Sequence, residues 1–87
     1  MARIKSRFFY VVAEYHTVAN SYTESIICTD PNGKYVNYKE FCKILKERHP
    51  QCVGNPLILN IIELTKKDYE EYIREGWNVH THGICTL

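Results

Sequence analysis

The chain has 87 residues, which is too short for two self-sufficient cores, so we expect a single domain over residues 1–87. An apolar fraction of 45% and an aromatic fraction of 13% are typical of globular proteins and exclude an intrinsically disordered chain. The net charge of +1 excludes a strong overall attraction to nucleic acid or to acidic membranes.

Two strands are predicted in the first third of the chain. Residues 7–16 alternate as a strand does and are apolar on both faces at first, while residues 21–29 are rich in β-branched side chains. The short connection at residues 18–20 makes the two strands an antiparallel hairpin. The sequence Asp-Pro-Asn-Gly at residues 30–33 then predicts a tight turn.

Two helices with similar starting sequences follow. Asn37 can cap the first helix, with Glu40 three residues later as the reciprocal partner, and Pro50 ends that helix. Thr65 and Asp68 occupy the same two positions at the start of the second helix.

Between the helices lies an apolar segment, residues 57–62, which is apolar on both faces. This pattern is typical of a central strand with a neighbour on each side. Residues 78–87 are either a last edge strand or a tail. The element order β-β-α-β-α, with or without a final strand, predicts an α+β fold. We expect an antiparallel or mixed sheet of three to four strands with two helices packed on one face.

The sequence predicts a cytoplasmic protein with no membrane contact. Its longest apolar run, residues 56–62, is far shorter than the roughly 20 residues that a membrane-spanning helix needs. The basic N-terminus leads into a predicted strand, and we find no signal-peptide cleavage site. The four cysteines are therefore expected to be free thiols: Cys28, Cys42, Cys52 and Cys85.

Two groups of residues have the side chains that zinc prefers. One is His80, His82 and Cys85, and the other surrounds the end of the first helix. The second group is Cys42, His49 and Cys52. Neither group contains the paired Cys-x₂-Cys motif of a zinc site, and Cys85 falls on the opposite strand face from the two histidines. We therefore predict no metal and no cofactor, with a small zinc-stabilised module as an alternative.

No catalytic motif is present. The sequence has no nucleophile elbow, no paired-carboxylate spacing and no glycine-rich phosphate loop, because its four glycines are scattered. A chain this short also has little room to enclose a substrate pocket. We expect a protein that is not an enzyme and has no catalytic residues.

One helix face is basic. Lys39, Lys43 and Lys46 follow the i, i+4, i+7 spacing that aligns side chains along the first helix. Two interpretations remain open: a solvated helix face with glutamates interspersed, or a nucleic-acid-binding face with tyrosines as stacking platforms.

Seven tyrosines in 87 residues is a high number for one small domain. Tyrosine is common at protein contact surfaces, because it adds contact area at low entropic cost and has a polar tip. We predict a partner-binding surface made of Tyr10, Tyr22 and Tyr35 together with the lysine face, whose members are Lys39, Lys43 and Lys46.

In its size, its lack of catalytic motifs and its contact-rich surface, the chain resembles the small α+β inhibitor proteins of bacteriophages, including anti-CRISPR proteins. The resemblance implies a host cytoplasmic location and a regulatory or inhibitory role toward a larger host protein or complex. We expect a non-enzymatic protein-binding module. The competing hypothesis is a nucleic-acid-binding domain that uses the basic helix face, and the sequence leaves open a homodimer.

Overall fold

The computed structural model describes residues 5–74 and 83–87. This part of the chain forms four strands and two helices: β1 (Arg7–His16), β2 (Ser21–Asp30), α1 (Tyr38–Arg48), β3 (Val53–Leu64), α2 (Lys66–Arg74) and β4 (Gly83–Thr86). The predicted α+β class and the order β-β-α-β-α are confirmed, and the short β4 follows them. No helix in these residues is long and apolar enough to cross a membrane.

The sheet has the strand order β3-β1-β2-β4. β1 and β2 form the predicted antiparallel hairpin, with an unbroken register from the pair Arg7 and Asp30 to the pair His16 and Ser21. β3 is antiparallel to β1, whereas β4 is parallel to β2, so the sheet is mixed.

The turn after β2 has the geometry that its sequence predicts. The Asp30 carboxylate accepts a hydrogen bond from the Asn32 N–H at 2.8 Å, and the Asp30 carbonyl accepts one from the Gly33 N–H at 3.1 Å. Gly33 has a φ of 70°, a conformation in which a side chain is strained. This turn sends the chain from the sheet toward α1.

Both predicted helix caps are present. The Asn37 side chain accepts a hydrogen bond from the Glu40 N–H at 3.1 Å, and the Thr65 hydroxyl accepts one from the Asp68 N–H at 3.1 Å. Each cap satisfies a backbone donor that has no partner within its helix. α1 ends at Arg48, before Pro50, as predicted.

The hydrophobic core lies between α1 and one face of the sheet, which we call the α1 face. The β1 side chains that point to this face are fully or almost fully buried, and they pack against β2 and α1. The core members are Phe9, Val11, Ala13, Tyr15, Ile26, Cys28, Phe41 and Leu45.

α2 lies on the other face of the sheet, the α2 face. Phe8 stacks on Tyr69 with ring centroids 4.3 Å apart, and Tyr10 stacks on Tyr72 at 6.3 Å. Phe8 and Tyr10 alternate along β1 with Phe9, so they point away from the core on the α1 face. The expectation that both helices pack on one face is therefore corrected. β1 is apolar on both faces because a helix lies over each of them.

β3 is an edge strand, and the prediction that residues 57–62 have a strand on each side is wrong. Among the described residues, β3 pairs with β1 alone. The apolarity of its two faces does not report how many strands lie alongside, and four of its apolar side chains stay about half exposed. A shift in register between Val12 and Ala13 marks a bulge in β3, with Leu59 as the extra residue.

Two identical substitutions should separate the core from this edge. Ile26 is 0% exposed, whereas Ile62 is 49% exposed, and both lie in strands. Ile26→Ala should lower the free energy of unfolding by about 2–5 kcal/mol because it leaves a cavity. Ile62→Ala should cost less than about 1 kcal/mol. Chemical denaturation measures both values, and similar costs would contradict this placement of the core.

Candidate interaction surface

An open groove of about 680 Å³ runs along α1 and contains all three residues of the predicted lysine face. The Lys46 ammonium donates a hydrogen bond to the Asn55 side chain of β3 at 3.0 Å. The lining residues are Tyr38, Lys39, Cys42, Lys43, Lys46, Glu47 and Asn55. Three lysines against one glutamate make this groove positively charged.

Tyr38 joins the start of α1 to β3. Its hydroxyl donates a hydrogen bond to the Pro56 carbonyl at 2.5 Å. Hydrogen bonding with Cys42, and then partial burial, raise the pKa of the Tyr38 phenol above its ordinary value, so the phenol remains a donor at neutral pH. The lysine face is thus held beside the edge strand by contacts at Asn55 and Pro56.

The β3 edge exposes an unusual amount of apolar surface. Four apolar side chains of this strand are about half exposed: Val53 at 47%, Leu57 at 57%, Leu59 at 49% and Ile62 at 49%. Leu57 and Ile62 pair with Glu14 and Tyr10 of β1, which places both on the α2 face. α2 has no buried residue, so it leaves this part of the α2 face uncovered.

The three tyrosines of the predicted surface do not lie together. Tyr10 is on the α2 face, where it stacks on Tyr72 and donates a hydrogen bond to the Ser25 hydroxyl at 3.1 Å. Tyr22 pairs with Tyr15 near the hairpin turn, on the α1 face. Tyr35 packs edge-on against Phe9, near the other end of β1. The lysine face and the tyrosines are therefore separate features.

A cluster of polar groups that the sequence analysis missed fastens the end of α1 to the sheet. The Glu24 carboxylate accepts hydrogen bonds from Arg48 at 2.7 Å and from the His49 Nε2 at 2.5 Å. The other ring nitrogen of His49 lies 3.3 Å from the Tyr15 hydroxyl, and the two rings are stacked. The sequence feature that could have identified Glu24 is strand alternation, which puts it on the same face as the buried Ile26.

We interpret this cluster as structural, because its acidic group is already bonded to two basic side chains. The Glu24 side chain is only 10% exposed, so its charge needs these partners. Tyr15 belongs to the hydrophobic core and does not line the groove. The arrangement can orient the histidine, but it places no reactive group in the groove.

The metal hypotheses have different outcomes. His80 and His82 lie outside the described residues, and so does the side chain of Cys85. In the described part of the chain, no three His, Cys, Asp or Glu side chains are close enough to hold a metal ion. This includes the group around Cys42, His49 and Cys52. Cys42 and Cys52 are free thiols.

Comparison of the chain with protein-family models, with curated proteins and with solved structures finds no match. The functional conclusion therefore depends on the geometry of the lysine groove and of the β3 edge.

Glu24→Gln should destabilise the fold, because the substitution keeps the size of the side chain but removes the charge that Arg48 and His49 share. We expect the free energy of unfolding to fall by about 1–3 kcal/mol. Glu47→Gln, at an exposed position of α1, is the matched control and should change it by less than about 0.5 kcal/mol. Denaturant unfolding that gives equal values for the two variants would contradict the structural role of the cluster.

Tyr15 should make stability depend on alkaline pH. Burial, and then the negative charge of Glu24, raise the pKa of its phenol above the ordinary value. The unfolded chain then loses this proton first, so the free energy of unfolding falls as the pH rises above about 10. Tyr15→Phe has no phenol to ionise, and its unfolding free energy should fall less steeply between about pH 8 and about pH 11. Parallel pH profiles for the two proteins would show that the Tyr15 phenol makes no such contribution.

Proposed function

We propose that this protein is a non-enzymatic binding module that recognises an extended segment of another protein by pairing it with the outer edge of β3. The observation that carries the proposal is this edge. β3 has 12 residues, no strand on its outer side among the described residues, and four half-exposed apolar side chains.

The backbone of an edge strand favours this mode of binding. Alternate residues of such a strand direct their N–H and C=O groups outward, where an added strand can satisfy them. Proteins that do not use such an edge commonly protect it with charged side chains, prolines, bulges or a short strand. β3 has one proline, Pro56, and one bulge, at Leu59. Its single charged residue, Glu63, is hydrogen-bonded to Arg7 and so does not guard the edge.

The side chains support the same proposal. Leu57 and Ile62 project from β3 onto the same face, with Asn60 between them, and both are about half exposed. Exposed apolar side chains beside an open sheet edge are available for contact with another protein. A strand added at β3 would cover these side chains and extend the sheet.

A module that binds in this way acts by covering a segment of its partner, and for that reason we propose a regulatory or inhibitory role. A cytoplasmic location is part of the proposal. It is supported by the free thiols of Cys42 and Cys52, which are usual in a reducing compartment.

The lysine groove favours a second candidate, a nucleic-acid-binding domain. Tyr38 is 46% exposed and lies beside Lys39 and Lys43, so a stacked base and a phosphate have potential contacts there. Three lysines would give only about three phosphate contacts, however, whereas strong binders make about 6–10. The groove alone therefore supports nucleic-acid binding less well than the β3 edge supports protein binding.

The test is affinity capture from a cell lysate with wild-type protein and with Ile62→Lys, followed by mass spectrometry. A lysine at position 62 places a charge among the half-exposed apolar side chains of β3 and should abolish capture of the partner. Val18→Lys is the matched control, because Val18 is a 93% exposed apolar residue in the hairpin turn, at the opposite end of β3 from Ile62. It should retain the partner.

Circular dichroism should show that both variants are folded. Equal recovery of the captured protein by wild type, Ile62→Lys and Val18→Lys would exclude the β3 edge as its binding surface. Capture of nucleic acid that survives Ile62→Lys would favour the second candidate.

A further inference from the structure

We infer, on the basis of the proposed function, that the segment added to β3 alternates acidic and apolar side chains. The acidic side chains enter the lysine groove beside α1, and the apolar side chains cover the α2 face of β3. This assigns a chemical class to the partner segment, where the edge alone specifies only an extended backbone.

The lysine groove adjoins the edge at which the segment would lie. Lys46 is bonded to Asn55, and Tyr38 is bonded to Pro56, so α1 reaches across the α1 face to the first half of β3. A strand added to a sheet lies about 4.8 Å from its neighbour. Lys39 and Lys43 line the same groove as Asn55, so carboxylates of a strand added at this end of β3 would lie beside that groove.

The two sides of the added strand meet different surfaces. Successive side chains of a strand point to opposite faces of the sheet. On the α1 face they meet the lysine groove beside Asn55, and farther along they meet Ile58 and Ile61. On the α2 face they meet Leu57 and Ile62. Alternation of charge and apolarity is therefore what the Asn55 end of this edge matches.

A second copy of this chain fits the edge less well. Antiparallel pairing of two β3 strands around a two-fold axis keeps the α1 faces of both copies on the same side. The first half of one β3 would then lie beside the second half of the other, so each lysine face would meet the Glu63 end of the second copy. The one acidic residue of β3, Glu63, is already bonded to Arg7 at 2.6 Å and 3.0 Å. Charge complementarity thus favours an acidic partner over a homodimer.

Synthetic peptides of about ten residues test the inference, since this is near the upper length of a strand. One peptide alternates glutamate with valine. The second replaces glutamate with lysine, and the third groups the glutamates at one end with the same composition. Binding is measured by fluorescence anisotropy. We expect wild-type protein to bind the alternating acidic peptide and to bind the other two at least about tenfold more weakly, the effect of a few charge pairs.

Charge reversal provides the matched variants. Lys39→Glu/Lys43→Glu should weaken binding of the acidic peptide by about tenfold or more and should strengthen binding of the lysine peptide. Lys5→Glu/Lys34→Glu makes the same change in net charge. Both residues are exposed, and they lie near the end of the sheet that is away from Asn55. This control should bind the acidic peptide as wild type does.

Several outcomes would overturn the inference. Equal binding of the acidic and lysine peptides by wild type would remove the role of the groove. Equal binding of the alternating and grouped acidic peptides would remove the alternation. Binding of single-stranded DNA, but of no peptide, with loss in Lys39→Glu/Lys43→Glu would assign the groove to nucleic acid. A wild-type dimer at micromolar concentration that Ile62→Lys dissociates would assign the edge to a second copy.

The failure of this inference and the failure of the proposed function are distinguishable. If Ile62→Lys loses the captured partner while Lys39→Glu/Lys43→Glu keeps it, the β3 edge binds protein and the acidic chemistry is wrong. If neither Ile62→Lys nor Lys39→Glu/Lys43→Glu alters capture, both the proposed function and the acidic chemistry of the partner segment are wrong.

Discussion

The packing of α1 on the central hairpin determines where everything else in this structure lies. Phe41 and Leu45 insert against the β1 row that begins at Phe9, and all three side chains are fully buried. The burial of large apolar side chains is the main favourable contribution to a fold of this size. Because that contact fixes the rotation of α1 about its own axis, the lysines on the adjacent helix face come to lie beside β3. The Glu24 cluster adds a second attachment at the end of the same helix.

Local features of the fold could be predicted from the sequence because each has a local cause. The hairpin, the turn at Asp30 and the caps at Asn37 and Thr65 all depend on residues within a few positions of one another. The position of β3 could not be predicted in the same way. Its apolar pattern does not report how many strands lie alongside, because an edge is defined by which strands pair at long range. The same limitation explains why the two helices were expected on one face.

The candidate surface was partly predictable for a similar reason. The alignment of the three lysines follows from helix geometry alone, and the groove confirms that they share a face. The separation of the tyrosines follows from strand alternation together with the hairpin register. Tyr10 and Tyr15 are an odd number of residues apart on β1, so they point to opposite faces of the sheet. Tyr22 pairs with Tyr15 and shares its face. Glu24 could have been identified by the same alternation, but its partners Arg48 and His49 come from an element more than 20 residues away.

The irregular start of β3 limits how much of its edge is available for regular pairing. Gly54 has a φ of 70°, and Pro56 has no N–H to donate, so the stretch open to pairing runs from Leu57 to Leu64, about eight residues or 27 Å, with the bulge at Leu59 inside it. About half of those residues face outward, which allows on the order of eight backbone hydrogen bonds, with a net value of about 4–12 kcal/mol. Ordering a flexible segment of that length costs about 8–16 kcal/mol. Backbone pairing alone therefore does not hold a segment at this edge, and the side chains decide which segments remain bound. Because both energies grow with the number of paired residues, a longer edge would not change this balance, and discrimination between sequences comes from the side chains at any length.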